Sequence, residues 1–164
     1  MVINKKNAYW LLLSLVAFVL DQWTKQLITA HFGYREVLPI FALGESGFNL
    51  TLAHNYGAAF SFLADQSGWQ RWFFAGLALA VGAGMTVWLL RLPPGSILLA
   101  LALSLLIGGA FGNLYDRAVH GYVIDFLDAF YGAYHWPAFN IADSAICAGA
   151  ALLLLDSFLP SKKA

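Results

Sequence analysis

Apolar residues along this chain of 164 residues gather into four long runs, broken by short polar segments. A helix needs about 20 residues to cross a bilayer, and the runs over about 8–30, 69–90, 96–114 and 137–159 each come close to or exceed that length. Pro93-Pro94-Gly95 separates the second run from the third, while Pro137 and Pro160 bracket the fourth. The pattern predicts four membrane-spanning helices joined by outer loops over about 31–68 and 115–136.

The first outer loop is too long for a passive connection. Within it, Phe48-Asn49-Leu50-Thr51-Leu52 alternates with period two, as a half-buried strand does, and Gly44, Gly47 and Gly57 punctuate the segment. The expected fold is therefore membrane all-α: a four-transmembrane-helix bundle with a small extracytoplasmic β platform between helices 1 and 2. It is read as one domain over residues 1–164, with the platform's apolar face resting on the membrane surface.

Composition agrees with the pattern. Hydrophobic residues make up 60% of the chain and charged residues 11%, whereas soluble domains carry about 25% charged residues. Net charge is zero, and no basic stripe suggests a nucleic-acid partner. One cysteine, Cys147, excludes an intrachain disulfide framework and reads as a small buried residue.

Lysines and arginines set the expected orientation. Lys5, Lys6, Arg91, Lys162 and Lys163 fall on one side, against Lys25, Arg35, Arg71 and Arg117 on or near the other. The positive-inside rule puts both termini in the cytoplasm. The first run is long, contains Asp21 and Lys25, and lacks a small-residue cleavage site, so it reads as a retained helix rather than a signal peptide.

Polar residues inside such runs are the candidates for chemistry. An ionisable group at membrane depth costs roughly 2.5 kcal/mol or more, which makes each one a functional hypothesis. Asp21 and Lys25 are spaced i, i+4; Asn113, Asp116 and Arg117 share one helical face; Asn140, Asp143 and Ser144 repeat that spacing at the start of the fourth run. All three sets lie toward the same side, so they are expected to meet in the bundle, where lipid offers them no partner. Asp125, in Tyr122-Val123-Ile124-Asp125-Phe126, lies beside the end of an apolar span. Two carboxylates brought close would share a proton, one activating water and the other polarising a carbonyl.

Each set also has a plain structural reading. Asp116 with Arg117 reads as a helix-end ion pair, Asp21 with Lys25 as a packing pair, and Asp143 as a helix cap favoured by the macrodipole. Asp65 and Asp128 read as solvated loop acids, and Asp156 as an interfacial residue. Gly44-Glu45-Ser46-Gly47 has the outline of the rhomboid serine motif but no following helix, and Tyr115-Asp116 lacks the downstream Gly-x-Gly-Asp of presenilin-type proteases. The four histidines have no zinc-binding spacing.

Five segments sharpen the choice: Asp21-Gln22-Trp23-Thr24-Lys25, Asn55-Tyr56-Gly57-Ala58-Ala59-Phe60, Gly108 to Arg117, Val123-Ile124-Asp125-Phe126, and Phe139-Asn140-Ile141-Ala142-Asp143-Ser144. With all five in this order, the chain resembles the bacterial type II (lipoprotein) signal peptidases over essentially its whole length. That resemblance implies an aspartyl endopeptidase of the bacterial inner membrane. Its substrates would be prolipoproteins cut before a diacylglyceryl-modified cysteine, near the extracytoplasmic face. It makes Asp125 and Asp143 the catalytic pair and places Asp21, Lys25, Asn55, Asn113, Arg117 and Asn140 around the site. Asp116 also matches a family position and stays open as a dyad member, although Arg117 beside it offers a structural role. His54 and Tyr56 stand where members of the family vary. No metal or organic cofactor is implied, and a monomer is the expected working unit. A proton-coupled transporter and a non-enzymatic scaffold are the alternatives from other classes. The first would want its charges near mid-helix, and the second would tolerate loss of either carboxylate apart from its effect on stability.

Overall fold

The computed structural model describes residues 5–57 and 67–159. Asp65, Pro160, Lys162, Lys163 and the Ala58-Ala59-Phe60 end of one motif lie outside the described residues. After a 3-10 turn over Lys5–Trp10, the order is α1 (Leu11–His31), β1 (Val37–Leu43), β2 (Ser46–Asn55), α2 (Trp69–Leu90), α3 (Ile97–Val119), β3 (Val123–Tyr131), β4 (Tyr134–His135) and α4 (Ile141–Phe158). The four helices are long and apolar enough to cross a membrane. The expected bundle is therefore present, and α3 lies at its centre, packed against α1, α2 and α4.

Small residues let α3 take that central place. A Cβ on Gly108 would come within 2.7 Å of Ala17 Cβ and of the Ser14 carbonyl on α1. One on Gly112 would meet Asp21 Oδ2 at 2.6 Å and Ala142 Cβ at 3.1 Å. Helices in a bilayer gain little from burying apolar surface against each other, so close backbone approach through such positions supplies much of the packing. At the opposite end of the bundle, Leu89, Leu92, Ala100, Leu103 and Ile107 form one core cluster. There Asn7 donates to the carbonyls of Leu89 and Leu92, satisfying the end of α2.

The strands form one antiparallel sheet in the order β1-β2-β3-β4. Gly44, at φ +61°, supplies the backbone that the tight β1–β2 turn needs. Between the pairs Leu50↔Leu127 and Ala53↔Asp125, Thr51 and Leu52 oppose the single residue Phe126, a β-bulge. Leu52, Ile124 and Phe126 pack on Ile28 near the end of α1, so the sheet is anchored to the bundle. β1 is exposed along its whole length, with Val37, Leu38, Ile40, Phe41 and Leu43 uncovered.

Three boundaries differ from the expectation, each for a physical reason. The platform is not confined to the α1–α2 connection: β3 and β4 come from the stretch expected as the second outer loop. Helix α3 continues through Val119 instead of ending near Leu114, because partners on α1 and β3 satisfy its terminal polar residues. Helix α4 starts at Ile141 rather than Pro137. The residues before it run beside β3, where Phe139 N–H donates to the Leu127 carbonyl and the Phe139 carbonyl accepts from Phe126 and Leu127.

Candidate active site

The start of α4 is fixed twice. Asn140 is its N-cap, and Asn140 Oδ1 accepts from Asp143 N–H at 2.9 Å. Asp21, reaching across from α1, accepts from Ala142 N–H at 2.8 Å through Oδ1. Two orphan donors of the first helical turn are thus satisfied by side chains, and Asp143 is held in that turn.

A buried ionic cluster lies behind it. Lys25 Nζ stands 2.8 Å from Asp21 Oδ2 and 2.8 Å from Asp116 Oδ2, and all three side chains are essentially inaccessible. Gln22 Nε2 donates to both carboxylates, at 3.1 Å to Asp21 and 2.9 Å to Asp116. Asp116 Oδ2 also accepts from the Ile124 N–H on β3, at 3.1 Å. Asp21 and Lys25, spaced i, i+4 on α1, thus form a buried ion pair. The expected pairing of Asp116 with Arg117 is corrected, since Asp116 pairs with Lys25. Arg117 turns instead to the Gly57 carbonyl at 2.8 Å and the Asn113 carbonyl at 3.2 Å.

Two amides connect this cluster to the remaining carboxylates. Asn113 Oδ1 accepts from Lys25 at 3.2 Å, and Asn113 Nδ2 donates to Asp143 Oδ1 at 2.7 Å. Asn140 Nδ2 donates to Asp125 Oδ1 at 2.7 Å and approaches Asn113 Oδ1 at 3.3 Å. Asn55, at the end of β2, also hydrogen-bonds Asp125. Asp125 sits in β3 and not at the end of a span, and the strand points it at the α3–α4 seam where Asp143 lies.

Asp125 and Asp143 open onto a cavity of about 740 Å³. Among the described residues they are the only carboxylates in its lining, which also includes Asn55, Asn113, Arg117 and Ser144. Trp136, Pro137, Ala138 and Phe139 form one apolar wall. Burial pushes the Asp125 carboxyl up to about 7, helped by the charge of Asp143 and opposed by the amides of Asn55 and Asn140 and by Lys25. Burial and neighbouring His120 lower His54, which stacks on Tyr122 with ring centroids 3.9 Å apart.

Every site residue expected from the sequence thus falls in one of two connected sets. Asp125, Asp143, Asn55, Asn113 and Arg117 line the cavity, with Asn140 bonding to Asp125; Asp21, Lys25 and Asp116 form the cluster behind. Two readings are corrected. Cys147 is exposed and lines the cavity, because at i+4 from Asp143 it shares that helical face. Asp128 is buried and bonded to Asn49 and His135, because β3 turns what looked like a loop acid into the sheet. Gln22 was missed as a site residue; the signal was its place between Asp21 and Lys25 on an apolar helix.

The family described as signal peptidase (SPase) II matches residues 13–159. The chain belongs to that family. It is 47% identical to a lipoprotein signal peptidase of Vibrio cholerae serotype O1 over 99% of this chain and 94% of that one. It is 50% identical to a lipoprotein signal peptidase of Acinetobacter baumannii over 96% of this chain and 87% of the relative. Among solved structures it is similar to a bacterial membrane enzyme determined in meso at 2.3 Å resolution, with a TM-score of 0.80 at 28% identity, covering 100% of this chain and 98% of that chain. A second such enzyme, at 1.9 Å, gives a TM-score of 0.79 at 26% identity, over 98% of this chain and 99% of that one. Membership makes this chain a membrane-bound, multi-pass hydrolase of the signal peptidase II type.

Proposed function

We propose that Asp125 and Asp143 are the catalytic dyad of an aspartyl endopeptidase acting on bacterial prolipoproteins. Family membership carries the coarser statement, that the protein removes signal peptides from prolipoproteins. The observation that supports the dyad is the linked pair of amides, Asn140 on Asp125 and Asn113 on Asp143, at the wall of one cavity.

In this reading the pair holds one proton. The ionised carboxylate takes a proton from a water as its oxygen adds to the scissile carbonyl carbon. The protonated carboxyl gives its proton to the carbonyl oxygen, forming a neutral tetrahedral diol. Collapse of the diol breaks the carbon–nitrogen bond. The proton gained from water passes to the leaving amine, a hydroxyl proton returns to the dyad, and the one-proton state is restored. Because the two acids act as a unit, neither is assigned as base or acid alone.

Cleavage would fall just before the diacylglyceryl-modified cysteine. The apolar wall and the lining that α4 contributes suit a substrate whose acyl chains stay in lipid while its peptide crosses the polar seam. The working unit would be a single domain over residues 1–164 acting as a monomer. Both termini would lie in the cytoplasm, with the cavity near the extracytoplasmic face of the bacterial inner membrane. Asn55, Asn113 and Asn140 orient the dyad, Arg117 ties the Gly57 corner to α3, and Asp21, Lys25 and Asp116 brace it from behind.

The test is cleavage of a diacylglyceryl-modified lipobox peptide by purified wild type, Asp125→Asn, Asp143→Asn and Asp116→Asn in detergent or lipid. The first two substitutions are expected to abolish turnover in a folded protein. A chelator is expected to leave wild-type cleavage unchanged. Full activity in Asp125→Asn would overturn the assignment and promote Asp116.

A further inference from the structure

The cavity's apolar wall hangs between two fixed points. At one end, Phe139 is bonded to β3 through Phe126 and Leu127. At the other end, β4 is only two residues long, Tyr134 and His135, too short to hold a wall by ladder bonds alone. Trp136, Pro137 and Ala138, which line the cavity, lie between them.

Asp128 supplies the missing anchor. Its carboxylate is buried, and His135 Nδ1 lies 2.8 Å from Oδ1 and 2.9 Å from Oδ2. With its hydrogen on Nδ1, the imidazole donates to both oxygens of this carboxylate. Asn49, paired with Asp128 across β2 and β3, donates to Asp128 Oδ2 at 2.8 Å. The imidazole also stacks on Phe130, with centroids 5.5 Å apart at 30°. Successive side chains of an extended chain alternate sides, so holding His135 behind the sheet presents Trp136 to the cavity in front. A backbone bond from Trp136 N–H to the Ala129 carbonyl at 2.8 Å fixes its register.

We infer that Asn49, Asp128 and His135 form a clasp that positions the Trp136–Ala138 wall against the bound substrate. These are positioning residues: the three lie outside the cavity lining, and their bonds run to one another and not to Asp125 or Asp143. The clasp governs how tightly the substrate is held, and the reacting atoms are left to the dyad. This rests on the proposal that the cavity is where the prolipoprotein is cut.

The experiment uses the full-length enzyme and the diacylglyceryl-modified lipobox peptide, reading KM and kcat separately for His135→Ala, His135→Asn, Trp136→Ala and the double variant His135→Ala/Trp136→Ala. The His135 side chain is half exposed, so loss of its contact with Asp128 predicts a KM rise of about 3- to 5-fold in His135→Ala, with kcat within about 2-fold of wild type. His135→Asn, whose amide can replace the Nδ1 donor, should restore most of the affinity. The double variant should be no worse than Trp136→Ala, because both changes act through one wall. An unchanged KM in His135→Ala, additive effects in the double variant, or equal loss in His135→Asn would each overturn the clasp. The Asp125→Asn variant tests the dyad separately: if it still cleaves, it is the dyad that falls.

Discussion

Asp21 and Asp116 share one ammonium group, each with its Oδ2 at 2.8 Å from Lys25 Nζ. The two carboxylates then reach to different elements. Asp21 holds Ala142 N–H, next in the chain to Asp143, and Asp116 holds Ile124 N–H, next to Asp125. The two acids of the cavity ride on separate elements, a helix and a strand, and this ion cluster sets those elements in register. Asn113 then ties Lys25 to Asp143 directly.

Removing the ammonium should therefore be costly. Lys25→Met leaves two buried carboxylates facing each other with no cation, a class of change that costs about 3–5 kcal/mol. The expected outcome is a large fall in unfolding temperature in detergent, with cleavage lost together with the fold. Lys25→Met combined with Asp116→Asn removes one of the stranded charges and should recover part of the stability. No recovery would show that the three groups do not act as one cluster.

Asp116 and Asp125 should separate cleanly in a paired measurement of stability and turnover. Asp116→Asn weakens a buried ion pair while its amide oxygen can still accept from Ile124 N–H. A loss of about 1–3 kcal/mol with measurable cleavage is expected. Asp125→Asn leaves the brace intact and, in acid where the wild-type Asp125 carboxyl is also neutral, should unfold near the wild-type temperature; it should show no turnover at any pH. The reverse pattern would exchange their roles.

The four spans and the polar seam were legible because a bilayer permits few sequence patterns, and because polar residues at helical spacing within apolar runs stand out. Asp21, Lys25, Asn113, Asn140 and Asp143 could be gathered on that basis. The strand β3 could not, since Val123 to Tyr131 is nearly as apolar as a span and shows no clean alternation: its first four residues are all buried. Its place in the sheet depends on β2, far away in the chain, and on a bulge that periodicity does not record. Asp128 and Cys147 were misread for the same kind of reason. Burial in the sheet and exposure to a cavity are tertiary facts that local polarity does not carry.

Close helix contact makes a further prediction about glycines. Gly112→Ala would place a methyl 2.6 Å from Asp21 Oδ2 and 3.1 Å from Ala142 Cβ, at the joint between the ion cluster and α4. Overpacking of this kind costs about 1–3 kcal/mol, and activity should fall as Asp143 is displaced. A methyl added at Gly76 or Gly84 on α2 would meet nothing within 4 Å among the described residues, so alanine there should be neutral or slightly stabilising through helix propensity. Thermal unfolding of the three variants beside wild type checks the contrast. Equal effects at all three would point to backbone flexibility and not to packing.

The Asp125 carboxyl makes both stability and activity depend on pH in a defined window. Its folded value of about 7 lies above the ordinary 3.8, first because of burial and then because of Asp143. Between those two values the folded chain holds a proton that the unfolded chain has released, so stability falls as pH rises. The contribution is complete below about pH 4 and gone above about pH 7. Asp125→Asn cannot titrate there and should flatten this part of the stability profile, measured as unfolding temperature in detergent. If the dyad needs its one proton, wild-type kcat/KM should also decline above about pH 7 as that proton is lost. A flat alkaline limb, together with an unchanged stability slope in Asp125→Asn, would mean that Asp125 carries no proton in this range and that the acid of the reaction lies elsewhere.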